Sequence, residues 1–148
     1  MKREKWRKAV FAVGYFFSDG KIEYLLLKRK KHWTGWEFTK GKIEKNETKK
    51  EAAIRESEEE SGLKVLGIKK FNVHGKYFYK KILEDRPEVI GQTYDFFAAR
   101  LKKGKVKLDK KEHSKYKWMS FDEAMKKLTW PNQRKSLKIV NKWIKNEI

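Results

Sequence analysis

Four of the six residues from Arg55 to Glu60 are glutamates, in a chain whose formal net charge is +19. On a helix turning by about 100° per residue, Glu56, Glu59 and Glu60 share one arc roughly 100° wide. Carboxylates at these i, i+3 and i+4 spacings repel each other. A hard divalent cation reverses the sign of that interaction, and oxygen ligands suit magnesium or manganese. Arg55, one turn before Glu59, can hold a carboxylate by one oxygen while the other oxygen faces a cation. A solvated acidic helix face is the alternative, and spacing alone leaves both open. Charge distribution favours the cation. Residues 41–63 hold seven acids and five bases, a net of −2, so the rest of the chain carries +21. An ion suits an acidic island in such a basic surround.

For the glutamates to converge, residues 48–62 must be helical. Thr48 begins the pattern and Gly62 can close it as a left-handed cap. Ala53, Ile54, Ser57 and Ser61 form the expected core stripe, with Glu51 and Glu58 turned toward solvent. Residues 8–17 and 22–29 read as strands joined by a turn at "SDGK". "HWTGWEF" reads as an aromatic loop or short strand, and residues 64–83 as strand material broken near His74 and Gly75. "RPEVIGQ" reads as a loop, "TYDFFAARL" as an apolar strand, "KKGKVKLDKKEHSK" as a charged loop and "YKWMS" as a short strand. Ser120 and Glu123 form an expected capping box. Pro131 opens a last helix whose Leu137, Val140, Trp143 and Ile144 share a face. Strands and helices in this order predict an α/β fold, a mixed sheet covered on both sides. Residues 1–148 are expected to form a single domain.

Composition excludes several classes. Hydrophobic residues make up 39% and aromatics 14%, enough for a core despite 40% charged residues. The chain has no cysteine, which excludes disulfides, thiolate zinc sites and cysteine nucleophiles. His32, His74 and His113 lack a metal-ligand spacing, so a histidine metal site is not expected. No P-loop, G-x-S-x-G or G-x-G-x-x-G occurs. Gly14 and "SDG" cut the apolar run after the basic start short of a membrane span, so a cytoplasmic protein without a membrane partner is expected. The positive charge suits a polyanion such as RNA, or equally reflects a lysine- and glutamate-rich composition of thermophile type. Trp33 and Trp36 could stack on a base or simply pack. Trp118, Trp130 and Trp143 are expected in the core or under a helix. The oligomeric state stays open.

"GKIEKNETKKEAAIRESEEESGL", residues 41–63, resembles the Nudix box, G-x5-E-x7-R-E-U-x-E-E-x-G-U with U a bulky aliphatic. Gly41, Glu47, Arg55, Glu56, Glu59, Glu60, Gly62 and Leu63 all match, and Ser57 departs from the first U. The resemblance implies the Nudix fold, with a mixed β-sheet sandwiched between α-helices. It also implies Mg²⁺- or Mn²⁺-dependent hydrolysis of a nucleoside diphosphate linked to another group. Glu56, Glu59 and Glu60 would then be metal ligands or the base, and the Lys40 backbone carbonyl a further ligand. Gly41, Glu47 and Gly62 would shape the loop-helix-loop, and Arg55 would orient a glutamate. Glu59 is the choice for the base that this resemblance favours, with Glu112 in "KKEHSKYKW" as the alternative. "WEFTKGKIEKNET", "YFYKKI", "RPEVIGQTYDFFAARL" and "EHSKYKWMSFDEAMKKLTW" are similar to the diadenosine-tetraphosphate hydrolase branch. That likeness implies phosphate contacts from Lys40 and Lys81 and adenine stacking by Tyr79, with release of ATP and AMP. Threonine stands at 39 where relatives commonly have proline. RNA 5′-pyrophosphohydrolase, 8-oxo-dGTP hydrolase and a non-catalytic nucleotide- or RNA-binding module are the other functions considered.

Overall fold

The computed structural model describes residues 5–79 and 81–147. Residues 1–4, at the basic start of the apolar run, and Lys80 of "YFYKKI" lie outside them. Among the described residues, seven strands and three helices follow in the order β1 (Lys5–Ser18), β2 (Lys21–Arg29), β3 (Gly35–Glu37), β4 (Thr39–Lys42), α1 (Lys49–Ser61), β5 (Val65–Phe78), β6 (Val89–Leu101), β7 (His113–Met119), α2 (Phe121–Lys127) and α3 (Pro131–Glu147). The sheet is mixed: β3-β2-β1-β6-β5, with β4 on β1 and β7 on β2. β1 and β6 run parallel, and the other pairings are antiparallel.

β1 is buried continuously from Ala9 to Tyr15 because both faces of the sheet are covered. Phe11, Val13 and Tyr15 join Phe96, Leu137, Val140 and Ile144 in a core under α2 and α3. Val10 and Ala12 point the other way and join Ala52, Ala53, Phe97 and Leu101 under α1. The expected sheet between helices is therefore present. Among the described residues, no helix is long and apolar enough to cross a membrane.

Three element boundaries differ from expectation. β6 begins at Val89, inside the segment read as a loop, because parallel pairing with Lys5 and a bond from the Tyr79 N–H to the Ile90 carbonyl organise it. β5 does not stop at His74 and Gly75; it absorbs the irregularity as a register shift against β6 and continues to Phe78. His113, read as loop, begins β7 and is fully buried. Ser120 accepts the Glu123 N–H, but the Glu123 carboxylate pairs with Lys117, so that capping box is half made.

Helix α1 carries a full capping box instead at Thr48 and Glu51. Gly62 closes it with φ 71°, its N–H bonded to the Glu58 carbonyl. The buried stripe is Ala52, Ala53, Ser57, Glu60 and Ser61, with Ile54 only half-buried. Glu60 thus belongs to the face against the sheet, not to an arc beside it. Ser57, where the family pattern has an aliphatic residue, is buried and donates to the Ala53 carbonyl at 2.7 Å. That carbonyl already has its helical partner, so the hydroxyl bond is dispensable. Ser57→Val is expected to leave turnover unchanged and stability within about 1 kcal/mol or higher, as read by thermal melting.

Candidate active site

The loop before α1 is tied to the helix through one guanidinium. Arg55 Nε donates to Glu47 Oε2 at 2.7 Å, and Nη2 to Glu47 Oε1 at 3.0 Å and to the Lys42 carbonyl at 2.9 Å. Its Nη1 donates to Glu56 Oε1 at 2.7 Å and Glu59 Oε2 at 3.3 Å. Glu47 also accepts the Glu44 N–H at 3.0 Å. Gly41 allows the closest approach: a Cβ built there would coincide with the Glu56 carboxylate. Gly41→Ala is therefore expected to displace Glu56. Because misplacement by about 1 Å costs on the order of 10²-fold, turnover should fall by that much while the protein still melts cooperatively. Steady-state kinetics beside a melting curve checks this.

The strand phase also exposes a carbonyl. The Ile43 N–H bonds to the Lys8 carbonyl, so in the antiparallel β1–β4 ladder Lys40 and Lys42 are non-hydrogen-bonded positions. Both carbonyls point away from β1, and Arg55 takes that of Lys42.

Glu56, Glu60 and Glu112 come together. Glu56 and Glu112 line a cleft of about 1370 Å³, and Glu60 lies buried behind them. One ligand atom from each of Glu60, Glu112 and His113 falls within 4.8 Å of the others. Glu59 is apart from this group: its side chain is 62% exposed and its contact is with Arg55. Lys40 Nζ sits 3.6 Å from Glu37 Oε1 and 5.7 Å from the Trp33 ring centre. Across the cleft, the Tyr79 hydroxyl donates to Gln92 at 3.2 Å and the Arg86 guanidinium lies over its ring. Lys81 lines the same cleft. Trp130 is not a core residue: it meets Trp33 edge-on at 5.2 Å on the cleft wall. Trp118 and Trp143 pack against the two cores as expected.

Three buried residues at the site, Arg29, Glu37 and His113, went unassigned from sequence. Glu37 Oε2 accepts from Arg29 Nη1 at 3.2 Å and lies 2.8 Å from His113 Nε2. His113 Nδ1 faces Glu60 Oε1 at 3.5 Å. "WEF" and "EH" contained Glu37 and His113, but 76 residues separate them. Only the pairing of β2 with both β3 and β7 brings them together.

The carboxylates differ in their electrostatics. Burial would raise the Glu37 pKa, but Lys40, His113 and Arg29 outweigh it and hold the group below its ordinary value. Burial, then repulsion from Glu37, Glu56 and Glu112, pushes the Glu60 pKa well up. Burial also raises that of Glu56, against the pull of Arg55. Both Glu60 oxygens and Glu37 Oε1 are buried without a hydrogen-bond partner among the described residues. Such orphaned acceptors beside further carboxylates have the electrostatics of a cation site, since a cation would let them ionise together.

A mixed sheet clasped by helices, with an arginine-tied acidic helix at the mouth of a basic cleft, defines a family of hydrolases. The NUDIX domain family model matches residues 5–139, and the chain belongs to that family. It is a Nudix hydrolase acting on pyrophosphate bonds. An RNA pyrophosphohydrolase of a Nitratiruptor species is 32% identical over 136 residues, covering 88% of each chain. An 8-oxo-dGTP diphosphatase of Buchnera aphidicola subsp. Schizaphis graminum is 34% identical over 112 residues, covering 75% of this chain and 76% of that one. A binary complex of the C. elegans Ap4A hydrolase superposes with a TM-score of 0.74 at 25% identity, over 95% of this chain and 98% of that one.

Proposed function

We propose that the enzyme cleaves a phosphoanhydride of a dinucleoside polyphosphate, with diadenosine tetraphosphate split to ATP and AMP. The observation that carries this reading is the make-up of the cleft. Its acidic floor lies beside two aromatic pairs, Trp33 with Trp130 and Tyr77 with Tyr79, the latter next to Arg86, and Lys40 reaches both pairs, 5.7 Å from the Trp33 ring centre and donating to the Tyr77 hydroxyl at 3.5 Å. Two aromatic pairs suit two nucleosides, and the cations beside them suit a polyphosphate.

Glu56, Glu60 and the Lys40 carbonyl would hold Mg²⁺ or Mn²⁺, with Glu59 at the exposed rim. Such a cation neutralises phosphate oxygens and lowers the pKa of attacking water. Arg55 keeps Glu56 and Glu59 turned to one side. Lys40 and Lys81 meet phosphate charge along the cleft. Glu112 lines the cleft, which favours it over Glu59 as acceptor of the water's proton.

A second reading, an RNA 5′-pyrophosphohydrolase in the cytoplasm, draws support from the 32% identical relative. It also draws on a cleft rim carrying Lys5, Lys8, Lys31, Lys42 and Lys76. A turnover panel separates the two: diadenosine tetraphosphate, 8-oxo-dGTP and 5′-triphosphorylated RNA, each with Mg²⁺ and with Mn²⁺, products resolved by chromatography. ATP plus AMP as the preferred products supports the dinucleoside reading. Preference for RNA, with binding that weakens steeply as salt rises, replaces it.

A further inference from the structure

The buried line Arg29–Glu37–His113–Glu60 lines the cleft only through Arg29, and it ends on a proposed metal ligand. Arg29 Nε donates to the Lys31 carbonyl at 2.8 Å while Nη1 donates to Glu37 Oε2 at 3.2 Å. The same Glu37 oxygen is 2.8 Å from His113 Nε2. The His113 N–H bonds to the Asp109 carbonyl at 3.0 Å, so both the backbone and the far edge of the ring are pinned. One polar atom of the ring is left, Nδ1. It is buried, has no hydrogen-bond partner among the described residues, and faces Glu60 Oε1 at 3.5 Å. Neither Glu60 oxygen has a hydrogen-bond partner among the described residues; Glu37, Glu56 and Glu112 repel it, while Arg29 and Lys40 attract it without forming an ion pair. Among the described residues no lysine or arginine makes an ion pair with this carboxylate, and the pinned imidazole edge is what faces it at 3.5 Å.

The geometry points to His113 as a positioning residue that, with one proton held between Nδ1 and Glu60 Oε1, keeps the Glu60 carboxylate in its metal-binding orientation, backed by Glu37 and Arg29. The roles are the reverse of the common arrangement, in which a carboxylate orients a ligating histidine. This inference rests on the reading of Glu56 and Glu60 as metal ligands. Direct coordination through Nδ1 is the competing use of the same atom. The Glu37 anchor on Nε2 suits either use; what favours positioning is that the carboxylate oxygens of Glu60 and Glu112 beside the ring are the better-matched donors for a hard cation.

The test measures Mn²⁺ binding to the full-length protein, using MnCl₂ alone and following the free-ion electron paramagnetic resonance signal. His113→Asn reaches with its amide to where Nδ1 lies; His113→Gln reaches to where Nε2 lies and leaves Glu60 unfaced. The expected result is an affinity about 10- to 100-fold weaker in His113→Gln, with His113→Asn much closer to the unsubstituted protein. A residue needed only for packing would not be rescued by the shorter amide. Equal affinities in the unsubstituted protein and His113→Gln, with intact melting curves, overturn the inference alone. No Mn²⁺ binding by the unsubstituted protein overturns the metal-site reading and this inference with it. Should His113→Gln fail to fold, pulsed measurements on the Mn²⁺-loaded protein labelled with ¹⁵N-histidine decide. A weak coupling from a nearby, unbound nitrogen supports positioning; a directly bound nitrogen, or no coupling, overturns it.

Discussion

Glu56→Gln is expected to lower kcat by about 10³-fold or more without unfolding the protein. The size follows from what the charge would do: neutralising a polyphosphate through a bound cation is worth several kcal/mol in the transition state, and each factor of ten in rate is about 1.36 kcal/mol. The fold should survive because glutamine keeps the shape that Gly41 accommodates. Burial already disfavours the Glu56 charge, and the Arg55 bond is what offsets it. Removing the charge therefore relieves desolvation while losing one charge-assisted bond at 2.7 Å, and the two effects oppose each other. A metal readout sharpens the expectation. Mg²⁺ should raise the melting midpoint of the unsubstituted protein, because a ligand that binds only the folded state stabilises it. It should leave that of Glu56→Gln nearly unmoved. Normal turnover in Glu56→Gln would move the metal site elsewhere.

The half of the site built from contiguous sequence was legible before the fold was known. Helical spacing put Glu56 and Glu60 near one another, and Gly62 does end α1 in the left-handed conformation. The helix wheel misjudged the depth of Glu60, because a wheel gives direction but not what stands opposite. Opposite Glu60 stand a histidine and another carboxylate, not apolar side chains. The other half depends on sheet register. Leu27 pairs with Glu37, and Arg29 with His113, so two edges of β2 deliver residues 76 apart to one buried point. No local periodicity encodes that pairing. Trp130 was misjudged for a related reason: it precedes α3 and meets Trp33 on the cleft wall, a contact set by the bridge between Trp36 of β3 and Leu128 in the connection from α2 to α3.

Arg55→Ala should harm both stability and activity, and the combination distinguishes it from loss of a ligand. One guanidinium spans Glu47, Glu56, Glu59 and the Lys42 carbonyl, so it links the loop after β4 to the middle of α1. Its side chain is 22% exposed, which keeps these bonds from being fully screened. Without it the Lys42 carbonyl loses its side-chain donor, and Glu56 and Glu59 keep their repulsion with no cation between them. A loss of roughly 2 kcal/mol of stability is expected, seen as a lower denaturant midpoint at unchanged slope. Turnover should fall by about 10²- to 10³-fold, since Glu56 would no longer be held against Gly41. Arg55→Lys tests the cause. Lysine restores one positive charge but not the planar fork that bonds several acceptors at once. It should recover part of the stability and little of the rate. Full recovery of turnover by lysine would mean that charge alone, and not the geometry of the fork, sets the position of the glutamates.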